Sequence, residues 1–367
     1  MKVAILHEML VKLGGAEKVV EALLEAFPKA DLFTLIYDEK KVGTVFPASK
    51  IKAVPKITQR IYNITKNQRF CLPYMARGVE QLDFSDYDVV IASSSGFSHG
   101  AITKPETKFI VYYHSPARYL WDWTNEYKKD IGFNSGIKGW ILNKMFYKLR
   151  QWDTLASMRS DVNLANSENS ANRVFKYYRK KADILFPPVE TNRFKFIKKG
   201  DYYIIISALV EFKKIEVAIE AFNKMPDKKL KIIGRGSYKE ALEKMVSGDN
   251  IEFLGAQYGD DLVKLLGESR GLVFPGEEDF GITPVEAMSA GKPVFAYKAG
   301  GLLETVIENK TGEFFEDKFG EDFVEKFIEF DEKVEQDFYN KGDLQKHAEN
   351  FSREKFIEKI QNIVYKK

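Results

Sequence analysis

The segment FPGEEDFGITPVEAM, residues 274–288, has the pattern of a strand end, a tight loop and the start of a helix. Pro284 suits the first helical turn, because its missing N–H would have no partner there anyway. The backbone N–H groups of Gly281, Ile282 and Thr283 would then be open to a ligand, with the positive end of the helix dipole behind them. The segment therefore predicts a strand–loop–helix unit that can hold a phosphate.

The same order of strand, loop and helix recurs along the 367 residues. Apolar strand-like runs alternate with amphipathic helical patterns, which is typical of parallel sheets covered by helices on both faces. We therefore expect an α/β protein whose ligand lies beside the carboxyl ends of the strands. The predicted strands lie near residues 2–7, 31–36, 89–93, 109–113, 162–166, 203–208, 229–233, 251–254, 271–275 and 293–296.

The chain length and a pair of prolines predict two domains. A single hydrophobic core stops growing near about 250 to 300 residues. The paired prolines in Phe186-Pro187-Pro188-Val189 break regular structure between the two sets of strands. We predict Rossmann-like domains over residues 1–186 and 187–350, facing a central cleft. Apolar residues at helical spacing predict that the final segment, 351–367, contains a helix that docks back on the N-terminal domain.

Composition excludes several classes of protein. The 44% hydrophobic and 30% charged residues are globular values, and no apolar run approaches the roughly 20 residues that span a bilayer. A net charge of +3 is too small to indicate a nucleic-acid partner. The single cysteine, Cys71, has no disulfide partner, and the four histidines lack zinc-site spacing. This spacing leads us to expect no metal. The N-terminus has no signal-peptide pattern, so we expect a soluble, cytoplasmic protein.

Two glutamates flank the predicted phosphate site. Glu278 ends the loop and Glu286 lies about one turn into the helix. Because carboxylates repel phosphate, these side chains are better suited to accept hydrogen bonds from sugar hydroxyls. No Asp-X-Asp pair stands where a metal-dependent transferase needs one, and Asp260-Asp261 is interpreted as a helix cap. The pattern favours recognition of a sugar beside a diphosphate.

The spacing of Glu278 and Glu286 resembles the glutamate pair of family 4 retaining glycosyltransferases, which have the GT-B fold. The resemblance spans nearly the whole chain. Further motifs follow in the same order: Gly14-Gly15-Ala16-Glu17, His114-Ser115-Pro116, Ser207-Ala208-Leu209-Val210 with Lys213, Ile233-Gly234-Arg235-Gly236, Phe253-Leu254-Gly255, and Ala299-Gly300-Gly301 with Glu304. Residues 210–222 and 274–288 are most similar to bacterial O-antigen and capsule mannosyltransferases, which use GDP-mannose.

The resemblance implies a role for each matching residue. Glu286 would hold the nucleotide ribose, and Glu278 would contact the transferred sugar. Backbone amides from Phe280 to Thr283 would hold the sugar and the phosphates. Lys213 would neutralise the departing diphosphate, and His114 would lie beside the reacting carbon.

Further loop residues would complete the donor site. Gly14 and Gly15 would let the backbone of the first domain approach the phosphates closely. Ala208, the pair Gly234-Arg235 and Leu254 would line the nucleotide. Fixed cations and amides can stabilise a departing diphosphate electrostatically, so no magnesium is expected.

One position departs from the pattern of the family. Ala208 stands five residues before Lys213, where members usually carry an arginine that grips the diphosphate together with the lysine. A charged hydrogen bond contributes about 1.5 to 3 kcal/mol, so its loss would weaken the grip roughly 10- to 150-fold. Arg235 and Lys214 are candidates to compensate. The alternative is a weakened or non-catalytic sugar-nucleotide-binding homologue.

The predicted function is retaining transfer of a hexose to a glycan or a polyprenyl-diphosphate-linked acceptor in polysaccharide or lipopolysaccharide synthesis. GDP-mannose is the favoured donor, and a UDP-sugar is the alternative. A phosphorylase, which needs a pyridoxal-phosphate lysine, and a nucleotide-sugar epimerase, which needs no acceptor, stay open. A dehydrogenase is not supported, because Gly14-Gly15 lacks the further glycine and the acidic residue of a dinucleotide site.

Basic and aromatic residues are interleaved in two stretches of the first domain. This composition suits the surface of an anionic membrane, where Arg118 and its neighbours would help hold a lipid-linked acceptor. The alternative is that the aromatic residues belong to the core. His7, His99 and His347 are assigned structural roles. The interleaved residues are Trp140, Phe146, Tyr147 and Trp152 with Lys138, Lys144, Lys148, Arg150 and Arg159, and Tyr62 and Phe70 with Arg60, Lys66 and Arg69.

Overall fold

Two parallel sheets organise the protein in a computed structural model that describes residues 1–133 and 135–366. The chain divides into two units. The first comprises Met1–Pro187 and the segment from Phe356 onward, and the second is Pro188–Lys355. The division falls one residue after the boundary that the paired prolines indicated. The expectation of an α/β protein with two parallel sheets is confirmed.

The sheet of the first unit has the strand order β3-β2-β1-β4-β5-β6-β7, and its strands pair in parallel. The strands are β1 (Val3–Leu10), β2 (Asp31–Tyr37), β3 (Ile51–Ala53), β4 (Val89–Ser94), β5 (Lys108–Tyr113), β6 (Val162–Ala165) and β7 (Asp183–Ile184). The helices are α1 (Gly15–Ala26), α2 (Glu39–Val42), α3 (Lys56–Thr65), α4 (Leu72–Glu80), α5 (Thr124–Asp130), α6 (Gly136–Ser157) and α7 (Glu168–Tyr178).

The second unit has a parallel sheet with the order β10-β9-β8-β11-β12-β13. Its strands are β8 (Tyr202–Ile206), β9 (Lys229–Ile233), β10 (Ile251–Gly255), β11 (Leu272–Phe274), β12 (Val294–Tyr297) and β13 (Gly312–Phe315). The helices are α8 (Ile215–Asn223), α9 (Lys239–Glu243), α10 (Gly259–Gly267), α11 (Ile282–Ser289), α12 (Leu302–Thr305), α13 (Phe323–Glu335) and α14 (Lys341–Ala348). The last helix, α15 (Arg353–Tyr365), continues into the first unit.

The first sheet is buried on both faces, which explains its nearly unbroken apolar strands. Alternation along β5 sends Phe109 and Val111 into one hydrophobic cluster and Ile110 and Tyr112 into the other. The second of these clusters also contains buried residues of α15: Phe356, Ile360 and Val364. The apolar spacing near the C-terminus therefore marks a helix face that packs against this sheet.

Three short strands were not predicted. β3 and β7 are the edges of the first sheet and contain three and two residues, and β13 is an edge of the second sheet that begins with Gly312. An edge strand has one neighbour, so its sequence needs no long apolar run. Such strands form because a longer neighbour provides a template, which a local pattern does not reveal.

The cap assigned to Asp260-Asp261 is wrong in detail. The α10 helix begins at Gly259 with Tyr258 in the N-cap position, so both aspartates lie inside the first turn. Their carboxylates favour the positive end of the helix dipole without serving as the cap. Among the residues that the structure describes, no helix combines the length and the apolar content that crossing a bilayer requires.

Aromatic rings fill the core of the second unit around Phe295 of β12, which is fully buried. Its ring centroid lies 5.0 to 5.5 Å from four other phenylalanine rings: Phe315, Phe323, Phe327 and Phe330. Such pairs add edge-to-face attraction to the burial of apolar area. The position of β12 against α13 depends on this cluster.

The Phe295→Ala variant is expected to lose about 3 to 5 kcal/mol of unfolding free energy, because the lost ring leaves a cavity among its neighbours. Urea denaturation followed by circular dichroism measures the change. Phe319→Ala is the matched control, since that ring is 68% exposed, and it should shift stability by less than about 0.5 kcal/mol. Equal losses in the two variants would contradict the assignment of this cluster as the core.

Candidate functional site

The strand order of the second sheet reverses between β8 and β11. From β8 the chain proceeds to β9 and β10 on one side, and it then returns to add β11 on the other. In open parallel sheets, ligands bind beside the carboxyl ends of the strands at this reversal. The two loops that leave it, residues 207–214 and 275–281, contain Lys213 and Glu278.

The loop after β11 ends at a left-handed residue, Gly281, with φ of +91°. A side chain would strain this conformation, and glycine adopts it freely. Gly281 is the N-cap of α11, so Ile282 and Thr283 open the helix, and Glu286 is buried one turn further on. The first N–H groups of a helix have no partner within it, so this end of α11 can receive an anion.

Lys213 and Glu278 are in contact through Nζ and Oε1. The contact depends on Gly276, because a Cβ built there would lie 2.7 Å from the carbonyl oxygen of Lys213. The side chains are 12% and 33% exposed, so both charges remain within reach of a ligand. The sequence placed both residues at the site, and the structure adds that each is the partner of the other.

The loop after β12 packs onto the segment that holds Glu278. The N–H of Gly301 donates to the carbonyl oxygen of Glu278 at 2.9 Å. A Cβ on Gly300 or on Gly301 would collide with backbone atoms of residues 278–280. The two glycines therefore allow one loop to support another, which is a packing role beside the predicted phosphate contact.

The loops after β8, β9 and β10 are joined by backbone hydrogen bonds. The N–H of Leu209 donates to the carbonyl of Arg235 at 3.0 Å, and that of Gly234 donates to Gly255 at 2.8 Å. Ala208 and the side chain of Arg235 are exposed on these loops, and Leu254 is half-buried at the end of β10. The structure thus brings the four predicted nucleotide residues of this unit, which include Gly234, to one edge of the sheet.

The other proposed substitute for the missing arginine is Lys214. It is the left-handed N-cap residue of α8, with φ of 55°, and its Nζ lies 3.3 Å from Glu216 Oε1. This salt bridge holds the ammonium group near its own helix. Both Lys214 and Arg235 are exposed, so both candidates stay open.

The strand order of the first sheet reverses between β1 and β4. A cavity of about 220 Å³ lies there, lined by His7, Glu8, Met9, Val11, Lys12, Gly14, Gly15, Ala16, Glu17, Gln68 and Ser95. Gly14 is the N-cap of α1, and a Cβ on it would lie 3.1 Å from Glu17 Oε2. The predicted glycines thus lie at a crevice, and Gly14 also leaves space for a buried carboxylate.

Glu8 is a buried carboxylate that sequence reasoning missed. Its Oε1 accepts N–H groups from four successive residues, 95–98, at 2.7 to 3.0 Å, and its Oε2 accepts the Ser95 N–H at 2.9 Å. Burial alone raises the pKa of Glu8, but the charge of His7 and these hydrogen bonds outweigh it and lower the pKa. Glu8 therefore fixes the loop after β4.

His114 follows β5 and is linked to His7 through a buried hydroxyl. The Oγ of Ser93 lies 2.8 Å from His114 Nε2 and 3.1 Å from His7 Nδ1. Neighbouring strands bring these side chains together, because His7 and Ser93 are partners in the register of β1 with β4. Burial, followed by repulsion from His7, lowers the pKa of His114 to about 4. His114 is therefore neutral at pH 7.

His7 belongs to this polar group, although sequence reasoning left it as structural. Its Nε2 lies 3.7 Å from Glu17 Oε1, and both side chains are almost fully buried. The clue in the sequence was a polar His7-Glu8 pair inside an otherwise apolar strand. His99 bonds instead to Ser94 and to Asp153, and His347 bonds to a backbone carbonyl in the second unit.

The interleaved basic and aromatic residues divide between surface and core. Trp140, Tyr147 and Phe70 are exposed by 61 to 64%. Tyr62 and Phe146 are fully buried.

Several other members of these stretches have structural partners. Trp152 donates from Nε1 to Glu80 at 2.9 Å, and Arg159 also pairs with Glu80. Arg118, proposed to help hold an acceptor, lies 3.3 Å from the carboxylate of Asp122. The structural alternative therefore holds for part of these residues, and the membrane alternative stays a prediction.

Two family models match the chain. "Glycosyltransferase Family 4" matches residues 13–193, and "Glycosyl transferases group 1" matches residues 188–344. Together they extend from the first-unit crevice to α14, in the order in which the two sheets follow each other. The chain belongs to the family 4 glycosyltransferases.

Curated relatives of this family 4 chain are distant. It is 37% identical over 118 residues to sulfoquinovosyl transferase SQD2 of Arabidopsis thaliana, which covers 31% of the chain and 23% of that protein. It is 25% identical over 370 residues to alpha-1,3/1,6-mannosyltransferase ALG2 of Candida glabrata, which covers 84% of the chain and 78% of that protein. The chain thus spans less than a quarter of the length of the plant relative.

Solved structures support the fold. The structure of Anabaena Alr3699/HepE, determined in complex with UDP and glucose, matches over 100% of both chains with a TM-score of 0.71 and 16% identity. This likeness supports the GT-B fold, with a Rossmann-like parallel sheet in each unit.

Acidification is expected to destabilise the family 4 chain through His114. Its folded pKa of about 4 lies below the ordinary value of 6.5, so between these values the unfolded state binds more protons. The contribution of His114 to the free energy of unfolding is complete above pH 6.5 and is lost as the pH falls towards 4. Urea denaturation should show a smaller loss of stability between pH 7 and 5 in His114→Gln than in the wild type. Equal losses would contradict the low pKa of His114.

Proposed function

We propose that this chain is a retaining, metal-independent hexosyltransferase that uses a nucleotide sugar. The contact between Lys213 and Glu278 carries the proposal, because it places a cation and a carboxylate at the strand reversal of the second sheet. Lys213 and the open N–H groups of α11 would hold the diphosphate, and Glu278 would accept hydrogen bonds from the sugar. Glu286 would hold the ribose.

The favoured donor is GDP-mannose. The mannosyltransferase name of the Candida relative supports mannose. The UDP and glucose bound to the Anabaena protein favour the alternative, a UDP-sugar. The acceptor would be a glycan or a polyprenyl-diphosphate-linked sugar, bound by the first unit.

Retention of configuration would follow from attack by the acceptor on the face that the diphosphate leaves, with the leaving phosphate as base. A double displacement would require a carboxylate nucleophile with a free oxygen. Both oxygens of Glu8 accept backbone N–H groups, and Glu17 is paired with His7. Fixed cations and amides would stabilise the departing diphosphate without a metal ion.

Donor binding should be selective and unaffected by EDTA. The test is calorimetric titration with GDP-mannose, UDP-glucose and UDP-N-acetylglucosamine, followed by measurement of released nucleoside diphosphate. Lys213→Ala is expected to weaken binding of the best donor roughly 10- to 150-fold, because a charged hydrogen bond to phosphate is lost. Lys244→Ala, an exposed lysine on another part of the same unit, is the control and should bind normally.

The outcomes separate the candidate functions. Slow donor hydrolysis in EDTA supports a transferase and names its donor. Binding without turnover that Ala208→Arg restores would indicate a homologue weakened at the position of the missing arginine. Failure of all three donors to bind would overturn the donor assignment, and dependence on added magnesium would overturn the metal-independent mechanism.

We also propose that the first unit binds the inner face of an anionic membrane. Helix α6 exposes Ile137, Trp140 and Ile141, and Lys144 lies 5.3 Å from the centre of the Trp140 ring. These positions follow helical spacing and form one stripe of apolar and basic side chains. Aromatic rings at headgroup depth with lysines beside them suit an anionic surface and a lipid-linked acceptor.

Membrane association should depend on this stripe. Double replacement of Trp140 and Ile141 by serine is expected to reduce co-sedimentation with vesicles that contain anionic phospholipid at least severalfold, because the apolar anchor is lost. Neutral vesicles should bind the wild type weakly. The same double change at Tyr258 and Leu303, both exposed in the second unit, is the control and should leave sedimentation unchanged. Unchanged sedimentation of the α6 variant would contradict the proposal.

A further inference from the structure

Three basic residues precede three neighbouring strands of the second sheet. Lys199 lies shortly before β8, Arg270 before β11 and Lys292 before β12. These strands are parallel and follow one another in the order β8-β11-β12, so the residues that precede them meet at the amino edge of the sheet. The loops that contain Lys213 and Glu278 leave the opposite edge.

The three cations line a cavity of about 60 Å³, together with Lys341 from the start of α14. One water molecule needs only about 10 to 15 Å³ of such space, so the cavity has room for a small polyatomic ligand. Among the lining residues that the structure describes, four are cationic and one, Asp337, is acidic. The lining therefore carries an excess of positive charge.

Two of the four cations are paired with carboxylates. Lys199 Nζ lies 3.1 Å from Asp337 Oδ1. Arg270 pairs with Asp331 at 2.9 Å and with Glu335. The buried Nε of Arg270 nevertheless has no hydrogen-bond acceptor in the part of the chain that the structure describes. A buried N–H without an acceptor costs free energy, so this donor points to an acceptor from outside the chain.

The other two cations have uncharged partners. Lys292 is 1% exposed, and its Nζ donates to the carbonyl oxygens of Lys198 and Ser269 at 2.6 and 2.7 Å. An ammonium group has three protons to donate, so one proton remains. The Nζ atoms of Lys292 and Lys341 lie 4.1 and 3.6 Å from the centre of the same ring, that of Phe196. The two ammonium groups are therefore neighbours that repel each other.

The surroundings of Lys292 disfavour its charged form. Burial, followed by repulsion from Lys341, lowers the pKa of Lys292 to about 7, although Glu268 opposes this shift. An anion in the cavity would favour the ammonium form and would raise this pKa. The charged and titratable groups that surround Lys292 are Lys199, Glu268, Arg270, Asp337, Tyr339 and Lys341.

We propose that this cavity binds a small tetrahedral oxyanion of the phosphate class, at a site separate from the donor site. The oxyanion would accept the remaining proton of Lys292, the Nε–H of Arg270 and a proton of Lys341. Several acceptor oxygens on one centre suit cations that converge from different strands. The inference does not rest on the proposed function, because the cavity and the donor loops lie at opposite edges of the sheet.

Titration calorimetry of the full-length protein with sodium sulfate, at constant ionic strength, tests the site. Sulfate is the probe because, unlike phosphate, it keeps the same charge near neutral pH, and inorganic phosphate should compete with it. Lys341→Ala is expected to weaken sulfate binding roughly 10- to 150-fold, since a charged hydrogen bond is lost. Lys346→Ala, an exposed lysine of the same helix outside the cavity lining, is the matched control and should bind normally.

Sulfate binding should also weaken as the pH rises. The pKa of Lys292 is about 7 without the anion and higher with it, so affinity is greatest below pH 7 and falls above it. The wild type should therefore bind sulfate severalfold more weakly at pH 8.5 than at pH 6. Lys292→Met keeps the apolar stem without the ammonium group, and it should bind weakly and without this pH dependence.

The Lys213→Ala variant separates this cavity from the donor loops. Loss of sulfate binding in Lys213→Ala but not in Lys341→Ala would place the oxyanion at the donor site and would overturn the inference. Equal affinity of the wild type and Lys341→Ala, or no sulfate binding by the wild type, would also overturn it.

Circular dichroism establishes that each variant is folded. If Lys292→Met does not fold, because two buried carbonyls lose their donor, the pH dependence of the wild type and the exposed Lys341→Ala variant decide the outcome. Donor binding is measured separately. A protein that binds sulfate in this cavity but no nucleotide sugar would refute the proposed function alone, and a transferase without the sulfate site would refute this inference alone.

Discussion

A crevice forms where the loops after two adjacent parallel strands run to opposite sides of a sheet. Most of the candidate site depends on this constraint. It arises at β1 and β4 in the first sheet and at β8 and β11 in the second. Polar side chains can accumulate there because the loop after each strand lies at the carboxyl edge of the sheet, where no apolar helix face covers it. The contact between Lys213 and Glu278 therefore depends on how the strands are connected as well as on the local sequence. The same holds for the contacts that join Glu17, His7, Ser93 and His114.

Periodicity in the sequence predicted most of the fold, because central strands are buried on both faces and carry long apolar runs. The ten predicted strands each overlap a strand of the structure, and the short edge strands β3, β7 and β13 were missed because pairing with a neighbour defines them. The loops that contain Gly14, Ala208 and Glu278 were placed at strand ends by the same pattern. The contacts between side chains from different strands could not be predicted from the sequence. His7, for example, meets Ser93 only through the register of two strands, and the two residues are 86 positions apart.

Several glycines of the predicted site are explained by contacts between loops. Gly276 admits the backbone of Lys213, Gly234 lies against the carbonyl of Ser207, and Gly301 lies against residues 279–280. A glycine motif that suggests a close contact between backbone and phosphate can thus result from a close contact between two loops. Both roles can coexist, because loops that are locked together hold their remaining N–H groups in fixed directions, and fixed dipoles stabilise developing charge without reorganisation.

The carboxylates of the two units differ in their exposure and in their hydrogen-bond partners within the protein. In the first unit, Glu8 and Glu17 are each 3% exposed, and their oxygens are used by backbone N–H groups and by His7. In the second unit, the carboxylate of Glu278 is 33% exposed beside the ammonium group of Lys213. A ligand that carries both a diphosphate and a sugar could replace that contact, because the phosphate would satisfy Lys213 and the sugar hydroxyls would satisfy Glu278. No comparable exchange is open to Glu8, whose removal from its N–H groups would leave several buried donors unpaired. The first-unit carboxylates therefore suit the holding of a histidine and a loop, and the second-unit pair suits the binding and release of a charged donor.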